Sequence, residues 1–163
     1  MKVVGNLHIL GQKSIIKMNS RPSSNWEYSG WVSEEIAEIN LTRGDVLYLI
    51  PNKHTFTKAC ANSINLMPAR ALALEDILAG DIGLVLRFGS FRHGFVGDTY
   101  NLNEPFIYVS DSIDGGFTKF KPTAPGSIIQ KIGTPMYNNV GWFDFNSTLI
   151  EIQPDGTEKF LSY

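Results

Sequence analysis

One cysteine, Cys60, occurs in the 163 residues. No intrachain disulfide can form, and a lone thiol cannot by itself fill a structural zinc site. Charge is scarce as well: 18% of residues are charged, below the roughly 25% usual in soluble domains. Lys and Arg number 14 against 16 Asp and Glu, a net charge of -2, which argues against an electrostatic nucleic-acid binder and against a disordered charged tail. Long apolar runs are missing too. No stretch approaches the about 18 apolar residues of a membrane-spanning helix, so no membrane partner is expected. Gly5, Asn6 and His8 interrupt the opening apolar residues, so no secretory-signal core is expected there. The expectation is a protein made in a cytoplasm that stays there or leaves by another route.

What the chain does have is apolar material, 43% of residues with 12% aromatic. That is enough for one core with a small appendage, not for two full domains. Turn residues close short apolar runs at Gly44-Asp45, Pro51-Asn52, Gly80-Asp81, Gly97-Asp98, Asp114-Gly115-Gly116, Pro125-Gly126 and Pro154-Asp155-Gly156. Between them, residues 46–50, 84–88, 106–109 and 128–132 are rich in β-branched and aromatic side chains and read as strands, the first three buried on both faces. Residues 149–152 and 158–161 flank a turn and read as a closing hairpin.

Two segments carry a helical signal. Ser33 offers an N-cap ahead of Glu34 and Glu35, with Ile36 and Ile39 three residues apart, which predicts a turn or two of helix over 33–39. Residues 68–78 hold strong helix formers behind Pro68, although Ala71 and Ala73 also alternate with Arg70, Leu72 and Leu74 as strand faces would. The amino-terminal residues 3–18 read as two short strands, with Val3, Val4, Leu7, Ile9, Ile15 and Ile16 as their apolar content. Such a piece cannot bury its own apolar face, so another chain or the main domain must cover it.

Candidates for chemistry are few. His8, His54 and His93 lie far apart and in no metal-ligand spacing. Cys60 sits in no nucleophile motif, and the neighbouring carboxylates Glu75 with Asp76 and Asp111 with Asp114 read as turn and surface groups. The stretch 111–115 echoes a calcium loop without its later ligands or terminal Glu. Asn40-Leu41-Thr42 and Asn146-Ser147-Thr148 match the glycosylation triplet by chance. Trp26, Tyr28 and Trp31 cluster in a Ser- and Gly-rich stretch, as packed aromatics or as a sugar-stacking platform. No cofactor is implied.

The order of pieces over residues 43–146 resembles the β-barrel module of tailed-bacteriophage capsid decoration and head-fibre proteins, found also in tail fibres. The pieces are Arg43-Gly44-Asp45, Met67-Pro68-Ala69 through Gly80-Asp81, residues 84–89, Glu104-Pro105-Phe106 through Ser110, Gly115-Gly116-Phe117-Thr118-Lys119, Thr123-Ala124-Pro125-Gly126 and residues 129–133. The resemblance implies an all-β fold, a β-barrel or tulip-like domain over 31–163 behind an assembly arm of residues 1–30. It also makes residues 67–76 a strand where propensity alone favours helix. The function it implies is a non-enzymatic virion protein decorating or stabilising the capsid, partnered by the major capsid protein or other virion proteins. The fibre likeness of Gly5-Asn6-Leu7-His8-Ile9 favours a homotrimer, with Val3, Val4, Leu7, Ile9, Ile15 and Ile16 at its interface. A tail-fibre component binding a host surface glycan is the nearest alternative, and a small polysaccharide hydrolase with carboxylates paired by the fold is the alternative from another class.

Overall fold

The computed structural model describes residues 14–17, 22–93, 106–137, 139–145 and 148–162. Among these the chain is all β apart from one 3-10 turn at Ile64–Leu66. The strands are β1 (Ser14–Lys17), β2 (Tyr28–Ile36), β3 (Val46–Ile50), β4 (Thr55–Lys58), β5 (Ala69–Ala73), β6 (Ile82–Arg92), β7 (Ile107–Val109), β8 (Phe117–Thr118), β9 (Ile128–Ile129), β10 (Lys131–Tyr137), β11 (Val140–Asp144), β12 (Leu149–Ile152) and β13 (Glu158–Leu161).

The long strand β6 organises the main sheet. Along one edge β2 pairs with it antiparallel, from Tyr28 opposite Phe91 to Ile36 opposite Ile82. The other edge is divided: β5 takes Val85 and Leu86, and β11 takes Phe88 to Arg92. The sheet therefore forks at Arg87, into a branch β5-β3-β4 and a branch β11-β10-β7-β8. The first branch curls until Ala37, just past β2, forms a parallel bridge with Phe56 of β4, and the Glu38 N–H donates to the Phe56 carbonyl at 2.8 Å. The result is a curled half-barrel. Its inside is filled by Ala37, Leu47, Phe56, Ala71, Ala73 and Val85. Its outside carries Val32, Val46, Ala69, Leu72 and Leu86 into a larger core with Phe91, Ile107, Ile132 and Phe143.

Two cores on opposite faces of one sheet explain why residues 46–49 and 71–74 do not alternate apolar with polar, since these positions meet apolar neighbours on either face. They also decide residues 68–78. The alanines suit the narrow inside of the curl against Phe56, and burial on both faces outweighs the helix propensity of the same residues. The expected helical turn at 33–39 is corrected to strand. Ser33 does not cap; its hydroxyl faces the inside of the curl, donates to Glu35 at 2.7 Å and accepts from Arg87 Nε at 2.9 Å.

The second sheet, β13-β12-β9, contains the expected hairpin. Asp155 accepts from the Thr157 N–H at 2.9 Å and its hydroxyl at 2.7 Å across the turn, and those bonds hold the Asp155 carboxyl below its usual range. Residues 128–132 are not one strand, as the sequence suggests, but two. The break is Gln130, fully buried, whose amide accepts from the Ala69 N–H at 2.7 Å and donates to the Ala69 carbonyl at 3.0 Å. Its side chain thus acts as a strand partner for β5 while the chain passes from the small sheet to the main one.

Of the arm, β1 pairs with β2 of the same chain, Ile15 opposite Val32 and Ile16 opposite Trp31. Position 30 lies within β2. Val3, Val4, Leu7, Ile9 and the strand expected around them lie outside the described residues.

Candidate functional site

At the fork, β2 and β6 cross closely. Gly30 and Gly89 face each other in register with φ of 152° and 133°, and a Cβ on Gly89 would overlap the Ser29 carbonyl oxygen and lie 2.7 Å from the Gly30 Cα. Only glycine tolerates this approach. Just beyond it the register shifts by one: Trp31 pairs with Phe88 but Val32 with Leu86, leaving Arg87 as an extra, bulged residue. A bulge turns the residues around it relative to the regular alternation. Arg87 consequently reaches over the inside of the curl, its guanidinium 4.7 Å above the Phe56 ring. There it bonds Ser33 and forms an ion pair with Glu35.

The gap between the two branches is a groove of about 480 Å³ lined by Trp31, Ser33, Glu35, Arg70, Arg87, Phe88, Asp144 and Phe145. Three strands set its aromatic wall. Trp31 is opposite Phe88, and Phe88 is opposite Asp144, so the three share one face of the sheet. Trp142, two residues from Asp144, meets Phe88 edge to face with ring centres 5.0 Å apart. Trp31, Phe88 and Trp142 remain 47%, 40% and 38% exposed, unusual for side chains that bury so much area when they pack. Arg87 and Glu35 neutralise each other. Arg70 and Asp144 are exposed, and neither side chain has a hydrogen-bond or ion-pair partner among the described residues.

The residues singled out by sequence fall elsewhere, with one exception. Trp26 packs against Phe91 and His93, 6.0 and 5.3 Å between ring centres, and Tyr28 lies against the larger core, where burial and the Glu75 carboxylate push its hydroxyl pKa up. Trp26 and Tyr28 are half-buried, and Trp31 is the exposed member of the trio. His93 is buried between Trp26 and Phe117, His54 is exposed in the turn after β3, and His8 lies outside the described residues. The paired carboxylates serve local structure: Glu75 accepts from the Leu84 N–H at 2.8 Å, Asp76 from the Arg43 N–H at 2.8 Å, and Asp111 from the Ser127 hydroxyl at 3.2 Å. Asn40 accepts from the Ala79 N–H at 2.9 Å in a turn contact, whereas Asn146 and Ser147 lie outside the described residues. Among the described residues no group of three or more His, Cys, Asp or Glu is placed to hold a metal ion.

Cys60 is fully buried. Burial pushes its thiol pKa up, and hydrogen bonding to Asp114 with the nearby charges of Asp114 and Asp111 adds to the rise. The thiol is therefore expected to resist an aromatic disulfide reagent in the native protein and to react fully in denaturant. Rapid native labelling would show that the segment opens.

Sequence reading missed Ser33, Glu35, Arg70, Arg87, Phe88, Trp142 and Asp144. The available signal was Arg87, a charge inside the apolar run 84–88. Comparison with protein-family models, curated proteins and solved structures finds no significant match to this chain.

Proposed function

We propose that this chain is a non-enzymatic structural protein of a tailed-phage particle that decorates or stabilises the capsid, works as a homotrimer, and binds the major capsid protein or another virion protein. The observation that carries this reading is β1. Four residues form a strand whose ladder partner among the described residues is the edge of β2 between Gly30 and Ser33. A strand attached through a sheet edge is exchangeable, because the same edge in a neighbouring copy offers the same donors and acceptors in the same register. Ile15 and Ile16 sit in this strand. Val3, Val4, Leu7 and Ile9, upstream of it, supply apolar surface for the contact, and many weak copies on one particle would add through multivalency. The order of pieces over residues 43–146 supports the same reading.

The expected result of deleting residues 1–19 is a folded β domain by circular dichroism that is monomeric by light scattering, where the full chain is trimeric. The truncated protein should also be missing from purified particles analysed by mass spectrometry. Retention of the full-length mass together with normal incorporation would move the assembly contact onto the barrel.

A further inference from the structure

The groove at the fork combines three features that select one ligand chemistry. Its wall carries the aromatic side chains of Trp31 and Phe88, which are cross-strand partners, and Trp142, outside the groove lining, braces Phe88 edge to face. Its free polar groups are of two kinds, the Arg70 guanidinium, which can only donate, and the Asp144 carboxylate, which can only accept. Its four charged side chains, Glu35, Arg70, Arg87 and Asp144, sum to zero. A phosphate or carboxylate ligand would leave Asp144 opposed, and an ammonium would leave Arg70 opposed. A purely apolar ligand would strip water from both without replacing their hydrogen bonds. The matching ligand has a flat C–H face for the rings and a rim that donates and accepts at adjacent positions without net charge. Vicinal hydroxyls on a pyranose provide that rim, and the groove of about 480 Å³ lies within the size range of small-ligand sites.

We infer that this groove is a saccharide-binding site that takes a neutral hexose unit of a polysaccharide, its ring face on Trp31 and Phe88 and its hydroxyls shared between Arg70 and Asp144. Arg87 is a positioning residue. Tied to Glu35, Ser33 and the Phe56 ring, it fixes the bulge that puts Trp31 and Phe88 side by side. The arm strand β1 pairs with the stretch of β2 that carries Trp31 and Ser33, so sugar binding is measured on the full chain, where assembly and binding are read as separate outcomes.

The test is titration of the full chain with maltohexaose, laminarihexaose, cellohexaose and mannohexaose, followed by tryptophan fluorescence and calorimetry. The expected result is saturable binding of at least one oligomer, weakened at least tenfold by Trp31→Ala and by Asp144→Asn and unchanged by Trp26→Phe. Arg70→Ala is the second polar variant. It is exposed and partner-free among the described residues, so it keeps the test decisive if Trp31→Ala lowers stability. No saturable binding of any of the four oligomers would overturn the inference. So would binding that survives both Asp144→Asn and Arg70→Ala.

Discussion

Replacing Gly89 with alanine is expected to cost the protein roughly 2–6 kcal/mol in urea unfolding, the sum of about 1–3 kcal/mol for a strained backbone and about 1–3 kcal/mol for overpacking. At φ of 133° an L side chain is strained before any contact is considered. The added Cβ would then meet the Ser29 carbonyl and the Gly30 Cα across the strand pair, with no flexible side chain to give way. Since small domains are stable by only about 5–15 kcal/mol, such a loss would leave a large unfolded fraction. Gly80→Ala is the control. Gly80 also has positive φ, 86°, yet nothing lies within 4 Å of its added Cβ. That variant should lose only the backbone part. Equal losses for the two would mean that the close crossing of β2 and β6 is not what holds the fork.

The second large effect is expected at Gln130. Gln130→Leu conserves volume but leaves both the N–H and the carbonyl of Ala69 without their side-chain partner in a fully buried site. At about 1–3 kcal/mol for each orphaned group, the loss should be roughly 2–6 kcal/mol. Gln130→Glu separates hydrogen bonding from shape. Only the protonated carboxyl can donate to the Ala69 carbonyl, and burial also favours the neutral acid, so the folded-state pKa would rise above the unfolded value of about 4.3. Relative to the parent, that variant should be least destabilised below about pH 4.3 and lose stability as pH rises toward its raised folded pKa. A loss near zero for Gln130→Leu would mean that the amide serves as filler rather than as a strand partner.

Both effects concern elements that linear reasoning reached only in part. The all-β character was legible because punctuation by Gly, Pro, Asp and Asn recurs between short β-rich runs, and turn chemistry is local: Gly115 and Gly156 take positive φ where the turns demand it. The hairpin of β12 and β13 was legible for the same reason. Residues 33–39 were misread because an N-cap serine and two following acids are local signals too, and nothing nearby in sequence reveals that Ser33 and Glu35 will face Arg87, more than fifty positions away. Gln130 sat unremarked inside an apolar run, and its partner Ala69 is sixty-one residues distant.

The groove shows the same division most clearly. Composition established a chain with few charges, a lone thiol and abundant aromatics, and turn spacing pointed to strands outside residues 33–39 and 68–78, since both depend on residue type and nearest neighbours. The site belongs to tertiary structure. Trp31, Phe88 and Asp144 come from β2, β6 and β11 and become neighbours only through strand register, and register is fixed by the Gly30–Gly89 crossing and the one-residue bulge at Arg87. A one-residue slip in a strand pair sends side chains to the opposite face. The solvent-facing aromatic row therefore follows from long-range pairing, which local pattern does not encode.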